Sequence, residues 1–185
     1  MERVALPSDL KEDIKHWLLE ELEKINELRK SVEMESNIVN WFEKVISEGD
    51  VSILVEKAGS KELLYNYLGD PELQNYQINS KLRACQESDR RIRSFLNLIR
   101  EGTVPKEKLG DLFSFLLWRY LDEAVDVLSE EGVDLRGEAT KYGEKKGLDT
   151  YSSLIEMSMQ YRDLLPEMLR DKLDVLVNLR EYVIN

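Results

Sequence analysis

The sequence is poor in the two residue types that most often build metal and nucleophilic centres. It contains one cysteine, Cys85, and one histidine, His16, in 185 residues. A single cysteine excludes an intrachain disulfide and any multi-cysteine metal site, and it fits a reducing compartment. A single histidine excludes the paired Glu-x-x-His motifs of di-iron bundles and a conventional zinc set. We therefore predict a surface position for His16, a buried, inert thiol for Cys85, and no cofactor.

Turn residues and long apolar runs are also scarce. The chain has 4 Pro and 9 Gly, which is too few for the turns and alternating strands of a sheet protein. No apolar run approaches the length of about eighteen residues that marks a membrane span, and there is no apolar core of a signal peptide. The sequence therefore predicts a helical protein without a membrane partner, and the cytoplasm is its expected location.

Charge of one sign is abundant. Asp and Glu number 37 against 26 Lys and Arg, which gives a net charge of -11, and hydrophobic residues make up 42% of the chain. This composition is typical of a globular protein with a strongly charged surface. The mean negative field disfavours indiscriminate binding to nucleic acid or anionic membranes, although a local basic site is compatible with it. High Glu, Lys and Arg content with one cysteine also suits a protein from a thermophile.

The most apolar stretch of the chain begins at Leu109. Between Leu112 and Leu121, apolar or aromatic residues fall on nearly every side of a helix, which is the pattern of a helix that other helices surround. The stretch is too short to cross a bilayer. We predict an all-α fold, a bundle of four to five long helices plus short helices, built around a central helix at about residues 105–131.

The N-terminal part of the chain predicts two helices in succession. A narrow, heptad-like stripe of apolar residues runs from Leu10 to Val32 and predicts an amphipathic helix. Ser36 or Asn37 is a suitable cap for a second helix that ends at Gly49. The length of the chain favours a single domain over residues 1–185.

Two glycine-containing regions are expected to be less regular. Glycine followed by a polar residue recurs about every ten residues and predicts short helices at about 50–79, with Pro71 at a first helical position. Four of the nine glycines lie between Gly132 and Gly147. They predict a mobile segment at about 132–147 that contains a short helix.

The most informative charge feature is a basic stripe. Residues 81–119 contain nine Lys and Arg against five Asp and Glu, unlike the acidic remainder of the chain. On a helical wheel the basic stripe occupies one arc of about 100°. Its members are Arg83, Arg90, Arg93 and Arg100. Guanidinium groups spaced in this way can contact phosphates or carboxylates in a row, or dock on acidic helices of the same chain, or simply be solvated.

Other charged residues suggest two further hypotheses. Arg119 stands inside the most apolar stretch, so if it is buried it needs a partner, and Glu123 at i+4 could form an ion pair with it. Glu20 and Glu23 on the first helix, facing Glu123 and Asp126 on the central helix, could hold Mg²⁺ for nucleotide chemistry. Such spacings arise by chance in a chain with 37 acidic residues, so no metal is the main expectation.

These features favour a non-catalytic helical protein–protein interaction module, a subunit or adaptor of a larger assembly, with a protein partner or self-association. The first alternative is a nucleic-acid-associated helical domain that uses the basic stripe. The second is a Mg²⁺-dependent all-α nucleotide pyrophosphohydrolase. The sequence contains no phosphate-binding loop, nucleophile elbow or dinucleotide fingerprint.

Overall fold

The computed structural model describes residues 2–48 and 71–184. In this part the chain forms six α-helices, one 3-10 helix and one small antiparallel sheet, which confirms the predicted all-α fold. The helices, numbered over the described residues, are α1 (Ser8–Glu48), α2 (Pro71–Ile99), α3 (Lys106–Glu130), α4 (Leu135–Lys146), α5 (Thr150–Gln160) and α6 (Glu167–Ile184). The strands are β1 (Arg3–Val4) and β2 (Val104–Pro105), and the 3-10 helix is Arg162–Leu164.

The first helix is longer than the sequence predicted. α1 is a single helix of 41 residues, so the predicted break at Ser36 or Asn37 is wrong. Neither Gly nor Pro occurs between Ser8 and Glu48, and a residue that can cap a helix is also tolerated inside one when its side chain points to solvent. Without a backbone breaker, two predicted helices become one.

The second helix also begins earlier than expected. Pro71 is its first residue, as predicted, because a missing N–H costs nothing at that position. Residues 71–79 belong to this helix of 29 residues, and the irregular segment predicted for about 50–79 is wrong there. Ile78, Cys85 and Ile92 are all buried and lie seven residues apart. The buried face of this helix therefore continues upstream to Ile78. Residues 50–70 of that prediction lie outside the described residues.

The chain divides into two compact units. Unit 1 comprises residues 1–17 and 95–185, and unit 2 comprises residues 18–94. The boundaries fall inside α1, after Trp17, and inside α2, after Ser94. Neither boundary coincides with a stretch rich in glycine or proline.

Unit 1 is built around α3, as predicted. Leu109, Leu112, Leu116, Leu121 and Leu128 are completely buried along this helix. α6 packs along α3, and α4 and α5 pack against each other beside it. The pattern differs from the expectation at one position, because the side chain of Trp118 is 42% exposed.

The two strands join the N-terminus to the start of α3. Val4 pairs with Val104 and Arg3 with Pro105. The Arg3 side chain donates hydrogen bonds to Thr103 Oγ1 and the Thr103 carbonyl at 2.8 Å, and it forms an ion pair with Glu101 at 2.9 Å. Val104 is fully buried beneath this junction.

The glycine-rich segment at 132–147 contains the helix α4. Gly132 and Gly147 flank it and both have positive φ, a conformation that glycine adopts without a steric penalty. The Asp134 side chain caps the helix by accepting a hydrogen bond from the Gly137 N–H at 3.1 Å. A short helix in this segment was expected, and its mobility stays a prediction.

Unit 2 contains the C-terminal part of α1 and most of α2. Along α1, Leu18, Ile25 and Val32 are buried at every seventh residue. Along α2, Ile78, Cys85 and Ile92 follow the same spacing. Seven-residue spacing keeps one face of a helix on a packed seam, which is the arrangement of coiled-coil helices. Lys81 and Glu35 form an ion pair between the two helices at 3.6 Å.

No helix within residues 2–48 and 71–184 has both the length and the apolar character of a membrane span.

Candidate functional site

The arginines of the basic stripe are exposed. Arg83, Arg90 and Arg93 lie on α2 in unit 2, and Arg93 Nε donates a hydrogen bond to Asp89 Oδ2, four residues away, at 3.0 Å. Arg100 is also exposed, but it follows the last residue of α2 and belongs to unit 1. Helical spacing alone is sufficient to bring the first three arginines onto one side of α2.

The structure places Arg119 at the edge of the apolar core. Its side chain is half-buried, and the guanidinium carbon lies 5.1 Å from the centre of the buried Phe115 ring, which is close enough for a cation–π contact. Glu123 is also half-buried, and its carboxylate lies 4.0 Å from Lys172 Nζ on α6. The predicted Arg119–Glu123 ion pair stays a prediction.

Lys172 is a buried cation that the sequence analysis did not single out. The residue is 7% exposed, and its Nζ lies 5.7 Å from the centre of the Trp17 ring. A lysine can take this position because its long stem packs among apolar groups while the ammonium contacts an aromatic ring and a carboxylate. The sequence did contain a signal, since Lys172 lies three residues after Leu169 and four before Leu176, on the apolar side of α6.

A second buried polar group lies between α3 and α5. Tyr120 and Ser158 are both completely buried, and neither hydroxyl has a hydrogen-bond partner of good geometry among the described residues. Burial raises the pKa of Tyr120 to about 12, and the neighbouring Ser158 hydroxyl offsets only part of that effect. Tyr120 is therefore neutral over the physiological pH range.

The metal hypothesis gains no support. The described part of the chain contains no group of three or more His, Cys, Asp or Glu side chains that could hold a metal ion. Glu20 and Glu23 belong to unit 2, whereas Glu123 and Asp126 belong to unit 1. His16 is exposed and Cys85 is a buried free thiol, as predicted.

A cavity of about 390 Å³ lies in unit 1 between α3, α4 and α5. Its apolar lining residues are Trp118, Leu121, Ala139, Gly143, Leu148 and Leu154, and its polar ones are Arg136, Thr140, Glu144, Thr150 and Ser153. Five of these residues share one side of α4, because they follow helical spacing from Arg136 to Glu144. Sequence analysis could not find this cavity, since it depends on how α4 packs against the other two helices.

Gly143 allows α4 and α5 to approach closely beside the cavity. It is buried, and a Cβ at this position would lie 2.4 Å from Ser153 Oγ and 3.2 Å from the Leu148 carbonyl oxygen. Contacts below about 3 Å cannot be accommodated without movement of one partner. The hydrogen of Ser153 Oγ is used within the protein, in a bond of 2.7 Å to the Asp149 carbonyl.

Arg136 lies at the side of the cavity formed by Trp118. Its guanidinium carbon is 5.7 Å from the centre of the Trp118 ring. Among the described residues, the Arg136 guanidinium contacts this ring and has no hydrogen-bond or ion-pair partner. It is also the only cation among the residues that line the described cavity.

Comparison with known proteins adds no relative. No protein-family model matches the sequence, and neither a curated protein nor a solved structure is significantly similar to it.

Proposed function

We propose that this protein is a non-catalytic helical interaction module, a subunit or adaptor of a larger assembly, that associates through an apolar stripe on α1. The stripe consists of Met34, Ile38 and Trp41, which are 65%, 53% and 55% exposed. Their spacing of four and three residues places them on one face of the helix. This exposed face is the observation that supports the proposal.

The apolar stripe is distinct from the face that α1 uses within unit 2. At about 100° per residue, the buried Leu18, Ile25 and Val32 point about 170° away from the mean direction of the stripe. α1 therefore has one apolar face inside the unit and a second, shorter one that faces solvent. An amphipathic helix of a partner commonly docks on residues at i, i+4 and i+7, and Trp is enriched among the residues that dominate such interfaces.

Self-association is the form of the proposal that can be tested without a known partner. An apolar face on one helix can pair with the same face of a second copy about a two-fold axis. Such an interface is insensitive to salt, because it depends on buried apolar area and not on charge.

The experiment measures solution mass by light scattering at low and high salt. We expect the wild type to form a dimer or larger species at both salt concentrations, and Ile38→Glu to be monomeric because it places a charge in the centre of the stripe. The matched control is Asn40→Glu, which adds the same charge to an exposed position of α1 about 130° from the mean direction of the stripe. A wild-type monomer, or a dimer that persists in Ile38→Glu, would contradict the proposal.

The exposure of Arg83, Arg90 and Arg93 keeps nucleic-acid binding as the second candidate function. It predicts a mass increase only when single- or double-stranded nucleic acid is added at low salt, because phosphate contacts release counterions. Changing Arg90 and Arg93 to Glu should abolish that increase. A monomer that behaves in this way would favour nucleic-acid association over the apolar interface.

A further inference from the structure

The cavity between α3, α4 and α5 has the composition of a small-molecule site. Its volume of about 390 Å³ lies within the range of about 300–1,000 Å³ that such sites occupy, and its interior is mainly apolar with a few polar groups at fixed places. We propose that the cavity binds a small organic anion, a carboxylate or sulfonate carried on a cyclic apolar body, and that Arg136 holds the anionic group.

Arg136 is suited to this role because no described residue occupies its donors. The chain carries 37 acidic residues, yet among the described residues none pairs with this guanidinium. A guanidinium presents N–H groups in a planar fork that matches a carboxylate or sulfonate. The contact with the Trp118 ring, at 5.7 Å from the guanidinium carbon to the ring centre, uses none of the N–H donors in a hydrogen bond.

Two hydroxyl groups of the lining, those of Thr140 and Ser153, do not compete for this role. Thr140 Oγ1 donates its hydrogen to the Arg136 carbonyl at 2.9 Å, and Ser153 Oγ donates to the Asp149 carbonyl. Their hydrogens are used within the protein, so neither hydroxyl donates to an anion in the cavity. Arg136 is the one cation of the described lining, so its charged N–H groups are the strongest donors to an anion there.

The geometry favours an anionic ligand over a cationic one. A ligand cation would seek the Trp118 ring, but Arg136 already lies against that ring. The lining carboxylate, Glu144, is eight residues further along α4, which corresponds to about 12 Å along the helix axis. Coulomb energy falls with distance, so Glu144 opposes an anion at Arg136 less than the adjacent guanidinium attracts it.

The apolar body of the ligand would lie against the remaining walls. Leu121 and Leu154 come from α3 and α5, and Ala139 comes from α4. Gly143 leaves the wall of α4 without a side chain where the helix approaches α5. A bicyclic ring system of about ten carbon atoms can bury apolar surface here while the charged group attached to it remains at Arg136.

The test is a titration followed by ¹⁵N–¹H NMR of the full-length protein, with 2-naphthoate as the probe and 2-naphthamide as its uncharged analogue. We expect saturable shifts of the amide signals of residues 136–144. Hydrogen bonds to a charged group contribute about 1.5–3 kcal/mol, so naphthoate should bind at least about tenfold more tightly than the amide.

Matched variants separate the anion site from general charge effects. Arg136→Gln should reduce the affinity for naphthoate to that for naphthamide. Lys145→Gln removes the same charge from an exposed position of α4 outside the cavity lining and should leave both affinities unchanged. Thr140→Trp should block both ligands by filling the cavity, whereas Lys141→Trp, on the exposed side of α4, should not.

Three results would overturn the proposal. The first is the absence of saturable shifts in residues 136–144 with naphthoate. The second is equal affinity for naphthoate and naphthamide, which would leave an apolar cavity without an anion site. The third is an equal loss of affinity in Arg136→Gln and Lys145→Gln. Circular dichroism of each variant shows that the fold is retained before affinities are compared.

Discussion

Gly143→Ala should destabilise the protein, although alanine is the better helix former. The added Cβ would lie 2.4 Å from Ser153 Oγ, 3.2 Å from the Leu148 carbonyl oxygen and 3.3 Å from Ser153 Cβ. Either α4 and α5 separate or Ser153 rotates and loses its hydrogen bond to Asp149. Overpacking of this kind costs about 1–3 kcal/mol, and the helix propensity of alanine returns about 1 kcal/mol. We expect a net loss of about 1 kcal/mol in the free energy of unfolding.

Gly110→Ala is the matched control in α3. A Cβ at Gly110 would meet no atom within 4 Å. With no steric cost, the substitution should stabilise the protein by about 0.5–1 kcal/mol, because glycine loses more backbone entropy on folding. The two glycine substitutions therefore change stability in opposite directions.

Urea denaturation followed by circular dichroism measures both effects. Adding Ser153→Ala to Gly143→Ala removes the closest atom and should recover part of the loss, with a coupling energy of about 1 kcal/mol between the two positions. If Gly143→Ala stabilises the protein as much as Gly110→Ala does, the close approach of α4 to α5 is not as the structure describes.

Two buried polar groups give the remaining predictions. The folded protein keeps the Tyr120 proton up to a pKa of about 12, whereas the unfolded chain loses it at 10.0. Stability should therefore be intact below about pH 10 and fall by up to about 2.7 kcal/mol between about pH 10 and 12. Tyr120→Phe should make that decline shallower in urea titrations across this range, and equal slopes would contradict it. Lys172→Met should change stability by less than about 1 kcal/mol, because Glu123 is partly hydrated and apolar replacements of buried charges are often tolerated. Lys172→Glu should cost about 3–5 kcal/mol, since it places a second carboxylate beside Glu123 in a buried position. Chemical denaturation compares the two variants, and similar losses in both would show that packing and not charge controls this site.

The parts of the fold that follow from local pattern were predictable. The central helix was expected at about residues 105–131 and is found at Lys106–Glu130, because its apolar residues cover all sides and Pro105 and Gly132 bound it. The single long α1 was not predicted, since Ser36 and Asn37 are compatible with both a helix cap and a helix interior. Cap residues indicate where a helix can begin, but only tertiary packing decides whether the preceding helix ends there.

The same distinction between local pattern and tertiary packing applies to the candidate sites. The exposure of Arg83, Arg90 and Arg93 follows from helical spacing, so the sequence alone was sufficient. The cavity requires α4 to lie against α3 and α5. The sequence of α4 gives little indication of its packed face, because only three of its residues are buried and two of them are the small residues Ala139 and Gly143. Lys172 was missed because the buried face of α6 was inferred from its Leu and Val residues, and a lysine on that face is normally expected to reach solvent.

Trp118 connects the central helix to the cavity. A helix that is apolar on every side should have every large side chain covered, and α3 departs from this at Trp118, which lines the cavity beside Arg136. Positions where a consistent sequence pattern fails locally are where functional constraints are expected. Trp118 is thus partly exposed beside a guanidinium that has no hydrogen-bond or ion-pair partner among the described residues. The stripe on α1 belongs to unit 2 and the cavity to unit 1, so a result against self-association leaves the anion site standing.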